Sequence, residues 1–145
     1  IGATGWVSGA LNYAITEFIG VDTSAALDVN GGSLNGSLVQ PVDTITTLAS
    51  NDLIIGVMSL SEAASSPIDP GVGYTQIFED ESGAYWAYSF QYKIAGAITT
   101  HNVDWTLASP TVDWTIVNAA FREYVAPTSP PATIVPARAL RNRRW

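Results

Sequence analysis

The stretch AYWAYSFQYK, residues 84–93, decides the fold class. Four aromatic residues alternate in it with small or polar ones: Trp86, Tyr88, Phe90 and Tyr92 against Ala87, Ser89, Gln91 and Lys93. Side chains two apart share a face of a β-strand, so the pattern predicts a strand with one wholly aromatic face. A sandwich buries one face of each sheet, and we therefore expect the aromatic face to lie in the core. Stacking on sugars is the alternative use of such a face.

Further segments carry strand signals on either side of this stretch. Residues 74–78 predict a partner strand, joined to the aromatic strand by the acidic turn at 79–83. Residues 53–58 are an apolar run between polar residues, which is typical of a strand buried on both faces. Residues 13–19 and 45–48 are rich in β-branched side chains and predict two more strands. The many Gly and Asn residues at 28–36 indicate turns, and residues 61–73, with two prolines, indicate a loop.

A short repeat follows the aromatic strand. The sequence VDWTL at residues 103–107 recurs as VDWTI at residues 112–116, with a four-residue turn signal between the two copies. Two similar short strands around such a turn predict an antiparallel hairpin.

These signals add up to an all-β fold. About eight short strands without helical crossovers predict a two-sheet antiparallel β-sandwich, jelly-roll-like, over residues 1–125. We expect five residues to be among those buried in it: Ile55, Val57, Tyr88, Phe90 and Trp114.

The charges divide the chain into an acidic body and a basic end. Residues 1–126 contain all thirteen acidic residues and two basic ones, a balance of 2 − 13 = −11, whereas residues 127–145 contain four arginines and no acid, a balance of +4. Residues 126–132 contain three of the eight prolines and cannot form a ladder or a helix. The sequence therefore predicts an extended C-terminal arm at residues 126–145.

Composition excludes several classes of function. Cysteine is absent, which removes disulfides, thiolate nucleophiles and sulfur-based zinc sites. The sequence has no run of about 18 apolar residues, so no membrane segment is predicted. Charged residues make up only 13% of the chain, as in subunits whose surfaces face neighbours. The sequence starts at Ile1 without a basic-then-apolar leader, so we expect a processed product or part of a longer chain.

Few residues could carry catalysis or hold a metal. The single histidine, His101, is expected to be an ordinary surface or strand-end residue, and no nucleophile–base pair is apparent. Paired carboxylates for glycoside hydrolysis could come only from Glu17, Asp104 and Asp113, which we expect to be surface or half-buried polar residues instead. Calcium ligands could come from two groups, neither of which matches a known calcium loop: Asp28 with Asn30, and Glu79 with Asp80 and Glu81. We therefore predict neither an enzyme nor a cofactor.

The pattern of core and turn residues resembles a known module. The segments that carry the resemblance are residues 73–75, 92–96, 105–109, Trp114 and 119–123, within a span of about residues 6–124. They are similar to a β-sandwich module of bacteriophage virion and tail-associated proteins and of bacterial surface proteins. The resemblance implies a sandwich fold and a place in a virion or on an extracellular surface, and it implies no chemistry.

The functional prediction combines the acidic body, the arm and the resemblance. We expect a non-enzymatic structural protein of a phage-like virion, from tail, fibre or capsid surface, that binds other copies of itself and further virion proteins. The alternative is a carbohydrate-binding module with a glycan partner, and nucleic acid is disfavoured because the body is acidic. The predicted subunit-interface residues all lie in the arm: Ile134, Val135, Arg138, Arg141, Arg143, Arg144 and Trp145.

Overall fold

The computed structural model describes residues 16–37, 40–61, 67–80, 87–108 and 113–126. These residues form eight β-strands: β1 (Leu27–Ser37), β2 (Val42–Thr46), β3 (Leu53–Leu60), β4 (Ile68–Pro70), β5 (Thr75–Asp80), β6 (Ala87–Ile94), β7 (Thr100–Leu107) and β8 (Asp113–Phe121). The described residues include no helix, so the predicted all-β class is confirmed. The predicted arm at 126–145, apart from its first residue, lies outside these ranges.

The strands form two antiparallel sheets. One sheet has five strands in the order β1-β8-β3-β6-β5, and the other has three in the order β2-β7-β4. The pairs β1·β8, β2·β7 and β3·β6 join strands that are successively closer along the chain, as in a long hairpin rolled up on itself. A jelly roll is built in this way. The fourth pair of such a roll would be β4·β5, but here β5 pairs with β6 in the larger sheet.

The core lies between the inner faces of the two sheets. The larger sheet contributes alternate side chains of β3 and β8, including Ile54, Met58, Trp114 and Ile116, all 5% exposed or less. The smaller sheet contributes three similar side chains from β7: Val103, Trp105 and Leu107. The sandwich prediction is therefore confirmed.

Trp105 is the largest fully buried side chain, and small residues on the opposite sheet make room for it. The indole Nε1 of Trp105 donates a hydrogen bond of 2.9 Å to Oγ of Ser89 on β6. A Cβ at Gly56 on β3 would lie 2.6 Å from Val103 Cγ1 and 3.0 Å from Trp105 Cη2. Small residues on β3 and β6 are therefore required where the indole crosses between the sheets.

The predicted orientation of the aromatic strand is wrong. In β6 the small and polar side chains Ala87, Ser89 and Gln91 are buried, and the aromatic side chains are the outer ones, half-buried. The same holds on β3, where Ile55 is half-buried and Val57 is 41% exposed. The outward residues are thus four of the five predicted to be buried, Ile55, Val57, Tyr88 and Phe90, and only Trp114 lies in the core. Trp86 is outside the described residues.

The repeat does not form a hairpin. Its first copy lies on β7, which pairs with β2 and β4. Residues 113–116 of its second copy lie on β8, which pairs with β1 and β3, and residue 112 is outside the described part of the chain. The two copies belong to opposite sheets, and each directs its tryptophan, Trp105 or Trp114, into the core. Each copy of the repeat therefore contributes one tryptophan to the core, and the two tryptophans come from opposite sheets.

Three other local predictions differ from the structure. The Gly- and Asn-rich residues 28–36 belong to strand β1, which has two register shifts against β8. A Cβ at Gly36 would overlap the Trp114 ring, which explains the missing side chain there. The predicted loop at 61–73 contains the short strand β4. Residues 16–19 of the predicted first strand are not in a strand, and residues 13–15 lie outside the described part.

Candidate functional site

The predicted interface residues of the arm cannot be placed. Ile134, Val135, Arg138, Arg141, Arg143, Arg144 and Trp145 all lie outside the described residues. The structure does place the chain that leads to them. Residues after β8 run beside residues 20–26: Tyr124 N donates to Gly20 O at 2.7 Å, and Val21 forms a bridge with Glu123. Residues 122–124, which lead to the arm, therefore lie beside the segment that precedes β1.

The exposed carboxylates of the body are spread over both sheets. Asp69 on β4 and Asp113 on β8 are exposed, and Asp104 on β7 is half-buried. Other carboxylates already have partners, since Asp43 accepts from Asn118 at 2.7 Å and Glu123 accepts from Asn51 at 3.0 Å. Only one salt bridge, between Arg122 and Asp28 at 2.9 Å, is present in the described part of the chain. The body therefore has carboxylates that a basic segment could meet.

A buried acidic pair lies at the end of the sandwich where the arm begins. The Asp28 side chain is fully buried and accepts hydrogen bonds from Arg122 Nε at 2.9 Å and Leu48 N at 2.6 Å. Asp52 is also fully buried. Its burial and the neighbouring Asp28 carboxyl raise the pKa of Asp52 to about 6. Burial alone would raise the pKa of Asp28, but the hydrogen bonds from Leu48 N and Arg122 Nε and the Arg122 charge hold it below its usual value.

This cluster was missed in the sequence because its members come from three distant segments. Asp28, a candidate calcium ligand together with Asn30, instead accepts hydrogen bonds from Arg122 and Leu48. Glu79 of the second calcium group accepts from Ile68 N at 3.2 Å and Gln76 at 2.7 Å. Glu81 lies outside the described ranges. Within those ranges, no three acidic or histidine side chains are grouped so that they could hold a metal ion.

A polar groove brings together His101 and Asp104 of β7 with Lys93 of β6. The groove has a volume of about 380 Å³. His101 is buried rather than at the surface, near the start of its strand, and its Nε2 lies 3.3 Å from Ala97 O. Beside the groove Tyr74 donates to Asn102 O at 2.9 Å, and its burial and the Asp104 charge raise its pKa. The groove is also lined by Thr100, whose hydroxyl oxygen lies 2.7 Å from that of Thr46 on β2.

The three candidate glycosidase carboxylates do not share an element. Glu17 is exposed in the segment before β1, Asp104 is on β7 of the smaller sheet, and Asp113 begins β8 of the larger sheet. Asp113 lines an open groove of about 550 Å³ together with Asn35, Ser59 and Trp114. Trp114 is only 5% exposed, so it offers no platform for a sugar ring in this groove.

No helix in the described part of the chain has the length and apolarity to span a bilayer.

Comparisons with known proteins give one structural similarity. No protein-family model matches the sequence, and no curated protein matches it. Among solved structures, the chain is similar to the tripod from the baseplate of bacteriophage Tuc2009. The two have 12% sequence identity and a TM-score of 0.37, over 85% of this chain and 79% of that one.

Proposed function

We propose that the chain is a non-enzymatic structural subunit of a phage-like virion, from tail, fibre or capsid surface. It assembles with other copies of itself and with further virion proteins. The C-terminal arm leaves its own sandwich and binds the acidic body of a neighbouring copy through Arg138, Arg141, Arg143 and Arg144. Ile134 and Val135 add to a sheet edge of that neighbour, and Trp145 is buried as an anchor.

The observation that carries this proposal is the separation of charge. The body has a balance of −11 and the arm of +4, and the arm contains no acid of its own. The exposed carboxylates of Asp69 and Asp113 lie on different sheets, so a neighbour's arm can meet them without displacing Arg122 from Asp28. Exposed ion pairs contribute at most about 1 kcal/mol each, so burial of Trp145 supplies a comparable or larger share.

The fold and the sequence resemblance support the location in a virion. The order of strands follows the rolled hairpin of a jelly roll, an architecture found in viral capsid proteins and in lectins. Fold alone does not assign function, so the location rests on the resemblance of the core and turn residues to virion modules. The low share of charged residues, 13%, also suits a subunit with much of its surface against neighbours.

The experiment is a comparison of particle mass for the full chain and for a chain truncated after Ala126. We expect the truncated chain to keep the circular dichroism spectrum of a β-sandwich but to assemble more weakly. A second variant with four Arg→Gln changes, at positions 138, 141, 143 and 144, keeps the length of the arm and should also weaken assembly.

The matched control is a chain in which the order of residues 127–145 is permuted. This control has the same length and charge, so it separates a general electrostatic attraction from docking of a defined arm. We expect it to assemble less well than the natural sequence. Equal assembly of the truncated and full chains would show that the arm is not the contact.

One observation favours the alternative of a carbohydrate-binding module. The aromatic side chains of β6, including Tyr88 and Tyr92, lie on the outer face of the larger sheet. Rings on an exposed face can stack on sugars, as in many binding modules. Titration of the full chain with glycans, monitored by tyrosine and tryptophan fluorescence, tests this. A saturable change that Tyr88→Ala and Tyr92→Ala both abolish would favour the module over the structural subunit.

A further inference from the structure

The outer face of the five-stranded sheet is apolar across its three central strands. The register places Phe78, Phe90, Val57 and Val117 in one row from β5 to β8. The next row contains Tyr92, Ile55 and Ala119, and the one beyond it Ile94, Leu53 and Phe121. Directly opposed side chains on adjacent strands lie about 5 Å apart, so these rows form one continuous surface.

This surface lacks charge and is incompletely covered. On β8, β3 and β6 every outward position is uncharged from Thr115 to Phe121, from Leu53 to Ser59 and from Tyr88 to Ile94. Three of its aliphatic residues are exposed, Val57 by 41%, Val117 by 50% and Ile94 by 56%, whereas Leu53 is only 5% exposed. Contiguous apolar patches of this kind mark surfaces that another segment or molecule covers.

The chain itself already crosses onto this face. The Phe18 ring contacts the Tyr92 ring edge-on, with centroids 5.3 Å apart and an interplanar angle of 62°. Phe18 is half-buried by this contact, while its neighbours Glu17 and Ile19 are exposed. The backbone after it is fixed to the end of β8 by the bond from Tyr124 N to Gly20 O. The residues that precede Phe18 therefore leave from the apolar surface.

The composition and length of the preceding segment fit the surface. Residues 1–15 contain no charged side chain and include five large apolar ones: Ile1, Trp6, Val7, Leu11 and Ile15. Fifteen extended residues reach up to about 50 Å. The three central strands span only roughly 10 Å across the sheet, so the segment is long enough to reach the row of Phe90, Val57 and Val117.

We propose that residues 1–15 of the same chain bind across the outer face of the five-stranded sheet and cover Val57, Val117 and Phe90. A tethered segment of this length has an effective concentration on the order of millimolar or higher at a surface that its own anchor touches. A second copy would have to reach the same concentration in solution, so the chain's own segment is the favoured occupant. The inference is independent of the arm and of the proposed function.

Single cysteines test the cover directly, because the natural sequence has none. Val117→Cys places a thiol on the apolar surface of the full chain and of a chain lacking residues 1–15. We expect the thiol of the full chain to react with a maleimide at least about tenfold more slowly than that of the truncated chain, because the segment must open first. The rates should not change when the protein is diluted.

Two controls keep the result interpretable. Val72→Cys places the thiol at a turn that is 91% exposed, and it should react equally fast in both chains. If the truncated chain does not fold, Trp6→Ser with Leu11→Ser in the full-length Val117→Cys chain removes the apolar contacts of the segment instead. That variant should react faster than its parent.

Three outcomes would overturn the inference. Equal rates with and without the segment would show that residues 1–15 do not cover Val117. Protection that disappears on dilution would assign the surface to a second copy, and protection that appears only with added glycan would assign it to a sugar. The four Arg→Gln changes in the arm should leave the protection of the thiol unchanged. This variant therefore separates a loss of assembly from a loss of the segment that covers the sheet.

Discussion

The carboxyl group of Asp52 lies beside that of Asp28 in the interior, where the segment before β3, the start of β1 and the end of β8 meet. Arg122 compensates one of the two charges by its 2.9 Å contact with Asp28. Asp52 is left as the group that holds a proton most readily, because burial and the Asp28 charge both disfavour its ionised form. The Arg122–Asp28 ion pair and the adjacent Asp52 carboxyl group thus bring three distant parts of the chain together.

The pair predicts that stability falls as pH rises from about 4 to 7. The pKa of Asp52 is raised from 3.8 to about 6, so the native state holds a proton that the unfolded state has lost in this range. Its contribution to stability is therefore full below pH 3.8 and is lost as pH rises through about 6. The pKa of Asp28 is lowered, so its own contribution is present above 3.8 and is lost only at lower pH.

Asp52→Asn should remove this loss of stability with rising pH, because an amide cannot ionise. We expect the variant to be more stable than the natural chain at pH 7.5, by on the order of 2 kcal/mol, and similar to it near pH 4. Urea unfolding at a series of pH values measures this. Asp113→Asn is the control, because it removes an exposed carboxylate at the start of β8 instead of a buried one. An unchanged slope in Asp52→Asn would show that Asp52 does not hold the proton.

Ser89→Ala should destabilise the sandwich by about 1–3 kcal/mol. The change leaves the buried indole N–H of Trp105 without its acceptor, which lies 2.9 Å away in the natural chain. Ser59→Ala, on the outer face of β3, should cost much less. Chemical unfolding monitored by tryptophan fluorescence gives both values. Equal costs would mean that the hydrogen bond between the sheets contributes nothing measurable.

Gly56→Ala should cost about 1–3 kcal/mol through overpacking. The added methyl group would lie 2.6 Å from Val103 Cγ1, so the core of the sandwich must shift to accept it. Gly96→Ala is the matched control, because a Cβ there meets no atom within 4 Å. If the two variants unfold at the same urea concentration, the close approach of β3 and β7 is not as the structure has it.

Ile54 and Ile55 test the orientation of β3 with two adjacent residues of one type. Ile54 is fully buried between the sheets, so Ile54→Ala should cost about 2–5 kcal/mol. Ile55 lies on the outer face and is half-buried, so Ile55→Ala should cost less than half of that. A larger cost at Ile55 in equilibrium unfolding would reverse the inner and outer faces.

The sequence predicted the positions of the strands better than it predicted which face of each strand is buried. Alternation with period two shows that Tyr88, Phe90 and Tyr92 share a face, but it does not tell which face is inside. Trp105 decides the question, since its indole fills the space opposite Ser89 and Gly56, and no aromatic side chain fits there as well. That contact joins distant segments and leaves no local signal.

The same reason explains the errors in pairing. The repeat around Trp105 and Trp114 has the spacing of a hairpin, but β7 and β8 pair with strands at the other end of the chain instead. Gly36 has the composition of a turn and is required in a strand because the Trp114 ring occupies the space beside it. The Asp28–Asp52–Arg122 cluster was likewise invisible, because Asp28 and Arg122 are 94 residues apart in sequence. The predicted interface in the arm stays a prediction.

The mass of the full chain in solution, measured by sedimentation over a hundredfold range of concentration, tests the central claim that this protein is an assembling subunit. We expect a discrete oligomer of fixed copy number, and we expect the four Arg→Gln changes in the arm to convert it toward monomer. High salt should weaken the oligomer in the same direction, because screening reduces the attraction between arm and body. A full chain that remains a monomer at every concentration, with or without the arginines, would show that the protein does not assemble through its arm.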